Sequence, residues 1–230
     1  MPHVNVRSAH QRIADMARDL HGQSDDDVLA RIVGHAVLAI PGADYASIAV
    51  SGASAQGTTM AATHAYPRLL HGIQNRLGEG PDIDIAATDG LVRVDDLECI
   101  ARWPAYSIAA IAETSIRSLM AFRLSAGRAM LGVLHVYADQ PYSFDSSADD
   151  IGMAFATHAA LAWDNASREQ NFRSALESRD AIGQAKGMIM ARYHVDADAA
   201  FGMLTKMSQN SNTRIADIAR ELIAMDQTAS

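Results

Sequence analysis

Hydrophobic residues near the N-terminus repeat at the spacing of amphipathic helices. One face of a helix over residues 8–21 carries Ile13, Met16, Ala17 and Leu20. The segment HGQSDDD then interrupts the pattern and supplies acidic residues for the start of a second helix over 27–40, which ends at Pro41-Gly42. The sequence therefore predicts two consecutive helices before any strand.

From residue 45 the hydrophobic period becomes that of short strands. The strand-like runs are 45–52, 58–65, 91–97, 118–125 and 129–139. SAGR (125–128) is typical of a hairpin turn, and helical stretches near 67–77 and 104–114 interrupt the strands. This mixture predicts an α+β domain, in which helices pack on an antiparallel sheet, ending near residue 145.

The strand pattern disappears after about Ser147, and a long helical pattern replaces it. Positions that would share one face of a helix recur at spacings of three and four residues. They are Phe155, His158, Ala162, Asn165, Glu169, Phe172, Leu176 and Arg179. A helix of about 40 residues follows from this pattern. Because such a length without neighbours is unusual in a monomer, we predict a homodimer paired in parallel through residues 150–185, with 8–21 as a further contact.

Two short amphipathic helices come next, over 197–208 and 214–224. Asp196 is expected to cap the first, and Asn212 or Thr213 the second. Their apolar faces are Ala200, Met203, Leu204 and Met207, and Ile215, Ile218, Ala219, Leu222 and Ile223. The available partner is the long-helix stripe Ile182, Ala185 and Ile189, with Gly183 or Gly187 as a point of close helix approach. A C-terminal three-helix module is therefore predicted.

The same part of the long helix carries bases and a glycine. Arg179 and Lys186 are seven residues apart, so they project from nearly the same side, about 10 Å apart along the axis. Gly187 costs about 1 kcal/mol relative to alanine, but it removes bulk beside the lysine. The loop 208–213, with Arg214 after it, adds hydroxyls, amides and the N–H groups of a helix start. This chemistry suits phosphates and base edges; a solvated helix rim with a capping loop is the alternative.

Residues 179–223 resemble the ANTAR domain, the three-helix RNA-binding module of bacterial antiterminators. The matching positions are Arg179, Ile182, Ala185, Lys186, Gly187, Met190, Ala200, Phe201, Leu204, Ser208, Asn212, Ile215 and Ala219. The resemblance implies binding of short RNA stem-loops, usually two in tandem and usually by a dimer.

The resemblance also implies roles for individual side chains. The RNA-facing set it implies is Arg179, Lys186, Gly187, Ser208, Asn212 and Arg214. Ala185, Ala200 and Ala219 are then small core positions. Asp180 and Asp217 lower the local charge, so we expect modest affinity with a strong salt dependence.

Upstream, residues 27–165 resemble a GAF domain of the type fused to ANTAR in actinobacterial regulators. The segments that match are 40–50, 77–85, 92–97, 102–104, 115–124 and 131–137, followed by FDSSADDIGMAFATHAALA. Many relatives have a cysteine after GEGP, where this chain has Asp82, so a redox role at that position is not transferred. The resemblance leaves the small-molecule ligand of the GAF pocket open.

The distribution of charge permits an RNA partner despite a net charge of -8. Residues 1–164 hold 11 Lys and Arg against 19 Asp and Glu, whereas 165–230 hold 8 of each. A neutral C-terminal module is compatible with phosphate binding. The chain shows no signal peptide and no membrane-length apolar run, so we expect a cytoplasmic protein without membrane contact. The single cysteine, Cys99, excludes an internal disulfide and is expected to be buried or half-buried.

Other chemistry is weakly indicated. GEGPDIDIAATDG lacks the Lys-Ser/Thr of a phosphate-binding P-loop. We interpret Asp82, Asp84 and Asp89 as a solvated acidic loop in preference to a metal site. His64 and His135 fall on predicted strands as core residues, with a cavity-facing position as the alternative. No nucleophile, base and orienting group stand at a recognisable spacing in the sequence, so we do not expect an enzyme. We also expect no metal and no cofactor.

These observations predict four regions: an N-terminal helix (1–26), a GAF sensor domain (27–147), a dimerising linker helix (148–178) and an ANTAR domain (179–226). The function they favour is a signal-responsive regulator that binds tandem stem-loops to control transcription termination or translation. One alternative is a small-molecule-binding GAF protein whose C-terminal helices only dimerise it. Another is a DNA-binding helix-turn-helix regulator, but only MDQTAS follows Ala224, too little for a recognition helix, so DNA is not expected as a partner.

Overall fold

The computed structural model describes residues 6–19, 25–51, 57–85, 88 and 90–229. The chain divides into two compact units, residues 1–167 and residues 168–230. Both units share one helix, α6, and each is described by itself below.

The first unit is an α+β domain, as its sequence predicts. Its elements are α1 Val6–Asp19, α2 Asp25–Ala39, β1 Tyr45–Ser51, β2 Gly57–Ala62, α3 Ala65–Leu77, α4 Pro81–Ile85, β3 Leu91–Val94, α5 Pro104–Glu113, β4 Ser118–Ala126, β5 Ala129–Ala138 and the first part of α6 Ser146–Tyr193. The five strands form one antiparallel sheet in the order β2-β1-β5-β4-β3. The predicted hairpin joins β4 to β5, with Gly127 in the left-handed region at φ 61°.

Alternation along the strands gives the sheet two buried faces. On β5, Leu134 and Val136 pack with α1, α2 and α6, whereas Val133 and Tyr137 belong to a second core with α3 and α5. The predicted burial of Ile13 and Met16 on α1 is confirmed. Leu20 and the side chain of Ala17 lie outside the described residues. Both sheet faces are therefore covered by helices.

The start of α6 is fixed to this domain by two contacts. At Gly152 a side chain would collide with the ring of Phe122, so glycine permits the close approach of α6 to β4. Arg93 on β3 donates to Asp149 of α6 at 2.8 Å and to the backbone oxygen of Asp145 at 3.2 Å. The sheet thus determines where the long helix begins.

Several sequence-based expectations for this unit are wrong. The strand over 58–65 ends at Ala62, and His64 instead caps α3, where its Nδ1 accepts from the Tyr66 N–H. Cys99 is exposed, because it lies in the turn that follows β3. The segment Pro81–Ile85 forms a helix, α4, that is too short to show a helical period in the sequence.

The second unit is the predicted three-helix module. It contains the last part of α6, α7 Ala197–Ser211 and α8 Ile215–Ala229. His194 ends α6 with a φ of 53°, and Asp196 caps α7 by accepting from the Ala199 N–H at 2.8 Å, as expected. The core consists of Ala181, Ala185, Ile189, Ala200, Leu204, Ile218 and Ala219.

The three predicted small core positions, Ala185, Ala200 and Ala219, are all fully buried. The predicted burial of Met203 and Met207 is wrong, because 36% and 41% of these side chains are exposed. Ala200 and Leu204 carry the contact of α7 with the core, and the two methionines flank it. Helix α7 therefore packs through Ala200 and Leu204 and leaves part of its apolar face exposed at Met203 and Met207.

Candidate nucleic-acid interface

The basic residues predicted to face RNA lie on α6 beside the helical core. Arg179 is exposed, and Lys186 is half-buried next to the core residue Ala185. Seven residues of helix separate the two side chains by about 10 Å along the axis, on nearly the same side. A half-buried lysine at the edge of a core can pack its aliphatic stem on apolar neighbours while its ammonium group reaches solvent.

Gly183 and Gly187 do not mark a close approach of helices within the chain. A Cβ atom added at either position meets no heavy atom of another helix within 4 Å, so the predicted packing role is wrong for both. Gly187 is exposed and directly follows Lys186. The helix thus carries two unfavourable glycines that its own fold does not require.

Ser208 and Asn212 build the turn between α7 and α8. The Ser208 hydroxyl donates to the backbone oxygen of Thr213 at 2.5 Å, and the Thr213 N–H donates back to the Ser208 carbonyl at 3.2 Å. Asn212 ends α7 with a φ of 51°, a conformation that asparagine tolerates better than most residues. Neither Asn212 nor Thr213 caps α8 as predicted, because the Asn212 backbone is used to close α7.

Arg214 stands immediately before α8 instead of in its first turn. Its carbonyl accepts from the N–H groups of Asp217 and Ile218, at 2.9 and 3.1 Å, while its side chain is exposed. The Asp217 carboxylate binds Arg220 at 2.5 Å, which partly neutralises one of the acids near this turn. The turn thus brings together Ser208, Asn212 and Arg214, whereas Arg179 and Lys186 form a separate row on α6.

The first unit contains a polar cluster that sequence reasoning missed. Asp82, on α4, contacts His135 of β5 through its Oδ1, at 2.5 Å from the ring Nε2. Its Oδ2 accepts from Gln74 Nε2 at 2.6 Å and lies 3.4 Å from Nδ1 of His71, both on α3. Asp82 is therefore not part of a solvated loop, and His135 is a core histidine, as expected. The spacing of His71 and Gln74, three residues apart on one helix, was the available sequence signal.

Local backbone geometry positions this carboxylate. The Asp82 N–H donates to Gln74 Oε1 at 3.0 Å, so one amide side chain holds both the backbone and the carboxylate of Asp82. Gly80 has a φ of 143°, and a side chain there would collide with Gln74. Glycine is therefore required at position 80 for the Gln74–Asp82 pairing to form.

The cluster shifts the pKa of Asp82 and of His71 in opposite directions. Burial raises the pKa of Asp82, but the charge and hydrogen bond of His135, with the bonds from His71 and Gln74, outweigh burial and hold that pKa far below its usual range. Burial lowers the pKa of His71, but the hydrogen bond to Asp82, the backbone hydrogen bond to Gly57 and the charge of Asp82 together outweigh burial and raise that pKa. His135 Nδ1 is buried without a hydrogen-bond partner. The Asp82 carboxylate is therefore kept ionised in the interior of the domain.

The same residues do not form a metal centre. Over the described part of the chain, no group of three His, Cys, Asp or Glu side chains is arranged to hold a metal ion. Nor is any helix among those residues both long and apolar enough to cross a membrane.

The sheet domain and the helical module each match a family of regulatory domains. The chain belongs to the GAF domain family, which matches residues 23–164, and it carries an ANTAR domain at residues 170–223. GAF domains sense signals and can bind small molecules, and ANTAR domains bind RNA. No curated protein matches the chain.

Solved structures agree on the fold. The GAF domain of an Acinetobacter phosphoenolpyruvate-protein phosphotransferase is 18% identical, with a TM-score of 0.52 over 69% of this chain and 93% of that one. The corresponding Coxiella burnetii domain is 14% identical, with a TM-score of 0.56 over 73% and 99%. The Stigmatella aurantiaca phytochrome photosensory core module is 13% identical, with a TM-score of 0.61 over 90% and 46%. At these identities the similarity establishes the fold alone.

Proposed function

We propose that this protein is a cytoplasmic regulator that binds stem-loop RNA through the ANTAR unit under control of a signal received by the GAF domain. The outcome is control of transcription termination or of translation. The observation that carries the proposal is the row on α6: an exposed arginine and a half-buried lysine stand in line beside a complete three-helix core, and an open glycine follows the lysine.

Within this proposal the six residues have different roles. Arg179, Lys186 and Arg214 supply positive charge to phosphates, and Gly187 leaves space for the RNA backbone beside the lysine. Ser208 acts through the turn that it closes, since its hydroxyl is used by Thr213. The Asn212 side chain is exposed beside Arg214 and can contact RNA while its backbone ends α7.

We also propose that the RNA-binding form is a homodimer paired through α6. Phe155, the first residue of the predicted seam, is fully buried in the sheet core and is unavailable for pairing. Farther along the helix, Leu161, Phe172 and Leu176 have 50%, 67% and 45% of their surface exposed. The seam therefore shifts towards the C-terminal part of α6, and Ile13 and Met16 of α1, which belong to the core, do not contribute.

A mobility-shift experiment with a two-hairpin RNA, its single-hairpin halves and a DNA duplex tests the proposed function. Binding of the two-hairpin RNA in preference to the halves supports it. Preference for the duplex would support the helix-turn-helix alternative, and no binding to any nucleic acid would support a GAF protein whose C-terminal helices only dimerise it.

Lys186→Ala should weaken hairpin binding about tenfold, because it removes a charge-assisted contact to RNA. The melting temperature should stay nearly unchanged, and the slope of log affinity against log salt should fall by about 1. Lys206→Ala is the matched control, since it removes an exposed lysine of α7. Equal effects of the two substitutions would remove Lys186 from the interface.

Gly187→Leu should stabilise the second unit by about 0.5–1 kcal/mol and yet weaken RNA binding. The gain follows from helix propensity, because a Cβ added at position 187 meets no heavy atom within 4 Å, and the loss follows from bulk beside Lys186. Gly202→Leu on α7, where the space is equally open, is the control and should leave RNA binding intact. Thermal melts and RNA-binding curves of both variants test this prediction. A Gly187→Leu variant that is more stable and binds RNA normally would contradict the proposed role of Gly187 in leaving space for the RNA backbone.

A further inference from the structure

A groove in the second unit runs between the end of α6 and α8. Its volume is about 620 Å³, within the range of sites that hold small organic groups. Its apolar wall includes Ile189 of α6 and Leu222 of α8, and its polar groups are Arg192, Tyr193 and Asp226. The side chain of Tyr193 is 57% exposed at this groove.

We propose that this groove binds one unstacked base of an RNA hairpin loop, with Tyr193 as the stacking platform. This inference rests on the proposed RNA-binding function and assigns a specific contact to it. Flipped-out loop bases are commonly held by aromatic side chains and arginine, and both occur here.

The position of Tyr193 selects RNA as the occupant. Tyr193 follows Lys186 by seven residues and Arg179 by fourteen, so the three side chains project from nearly the same side of α6 at intervals of about 10 Å. A strand whose phosphates contact Arg179 and Lys186 therefore continues towards the groove. Tyr193 thus adds an aromatic ring at the end of the row formed by Arg179 and Lys186. Sites for single-stranded nucleic acid commonly combine basic and aromatic side chains in this way.

The polar groups of the groove suit the edge of a base. The carboxylate of Asp226 lines the groove beside Arg192, and a carboxylate accepts hydrogen bonds from the exocyclic amino groups of guanine, adenine or cytosine. Uracil has no such group. We therefore assign to the groove an amino-bearing base, preferably a purine because of its larger stacking surface, with Arg192 beside it for the adjoining phosphate or for stacking.

The test uses the full chain and a series of hairpins with one stem, in which each loop nucleotide in turn is abasic. Fluorescence anisotropy of the wild-type chain identifies the loop position whose base contributes to binding. Tyr193→Ala should weaken binding to the intact hairpin about tenfold, and Tyr193→Phe should retain it. On the hairpin that is abasic at that position, the wild-type and Tyr193→Ala chains should bind equally. Phe201→Ala, at an exposed aromatic residue on α7 that does not line the groove, is the control.

A second variant, Asp226→Asn, tests the same site through base identity. The wild-type chain should bind weaker when uracil occupies the sensitive position, and Asp226→Asn should reduce this discrimination. Normal hairpin binding by Tyr193→Ala, or an equal loss on intact and abasic loops, would overturn the groove assignment and leave the RNA function standing. Failure of the wild-type chain to bind any hairpin would overturn both.

Discussion

Replacing Asp82 by alanine is expected to lower the free energy of unfolding of the GAF domain by about 3–5 kcal/mol, the cost of removing one partner from a buried charged pair. His135 and His71, which are 2% and 8% exposed, lose their shared acceptor, and Gln74 loses one bond. Asp84→Ala on the same short helix is the control, since Asp84 pairs with the exposed Arg102 at 3.2 Å and should cost no more than about 1 kcal/mol. Urea unfolding of both variants, followed by near-UV circular dichroism, measures the difference; similar losses would show that the cluster is energetically unimportant.

The same cluster makes stability depend on pH. Because the folded-state pKa of His71 is raised, its contribution is complete below its unfolded pKa of about 6.5 and is lost as pH rises through the folded value. The pKa of Asp82 is lowered, so its contribution is present above the unfolded value and is lost only in strong acid. Stability should therefore fall as pH rises above about 6.5 and through the raised pKa of His71, and Asp82→Asn should flatten this slope. A slope that is unchanged in Asp82→Asn would exclude the cluster as its source.

Inserting four residues after Asn171 should lower affinity for two-hairpin RNA about 100-fold, by removing the avidity of two linked contacts. Four residues turn the C-terminal part of α6 by about 400°, which leaves it about 40° out of phase with the pairing seam and about 6 Å farther along the axis. Binding of one hairpin needs a single unit and should change little. A seven-residue insertion, which nearly restores the helical phase, is the control.

This prediction requires the dimer. Light scattering at micromolar concentrations should give twice the mass of 24.6 kDa for the wild-type chain. A monomer at every concentration, or equal effects of the four-residue insertion on one-hairpin and two-hairpin RNAs, would mean that α6 is a passive connection and that the GAF domain acts by another route.

The fold could be predicted largely from local periodicity, because alternation and helical spacing act over neighbouring residues. The strand predicted over 129–139 is confirmed as β5, which carries Leu134 and Val136 on one buried face and Val133 and Tyr137 on the other. Helix α4 was missed because its five residues are shorter than two helical turns.

The candidate sites were less predictable, because they depend on contacts between distant segments. Asp82 and His135 are 53 residues apart, and only the pairing of β5 inside the sheet brings them together. The predicted cap of α8 at Asn212 is wrong for a different reason. Asparagine suits both the N-cap of a helix and a left-handed residue at a helix end, and the sequence does not distinguish the two. Met203 and Met207 were assigned to the core because helical spacing gives the direction of a stripe but not its width.

The middle of α6 is a stretch of helix without tertiary packing. Every residue from Arg168 to Glu177 is exposed, and Glu169 and Arg173 form an ion pair on the surface of this stretch. A helix without tertiary packing is only marginally stable in water, so this stretch should open at low free-energy cost and exchange its amide hydrogens rapidly in a monomer. Pairing with a second chain would bury Phe172 and Leu176 and slow that exchange. Folding of the connecting segment and association of two protomers are then one thermodynamic event, and any signal that alters pairing also alters the rigidity of the connection to the RNA-binding unit.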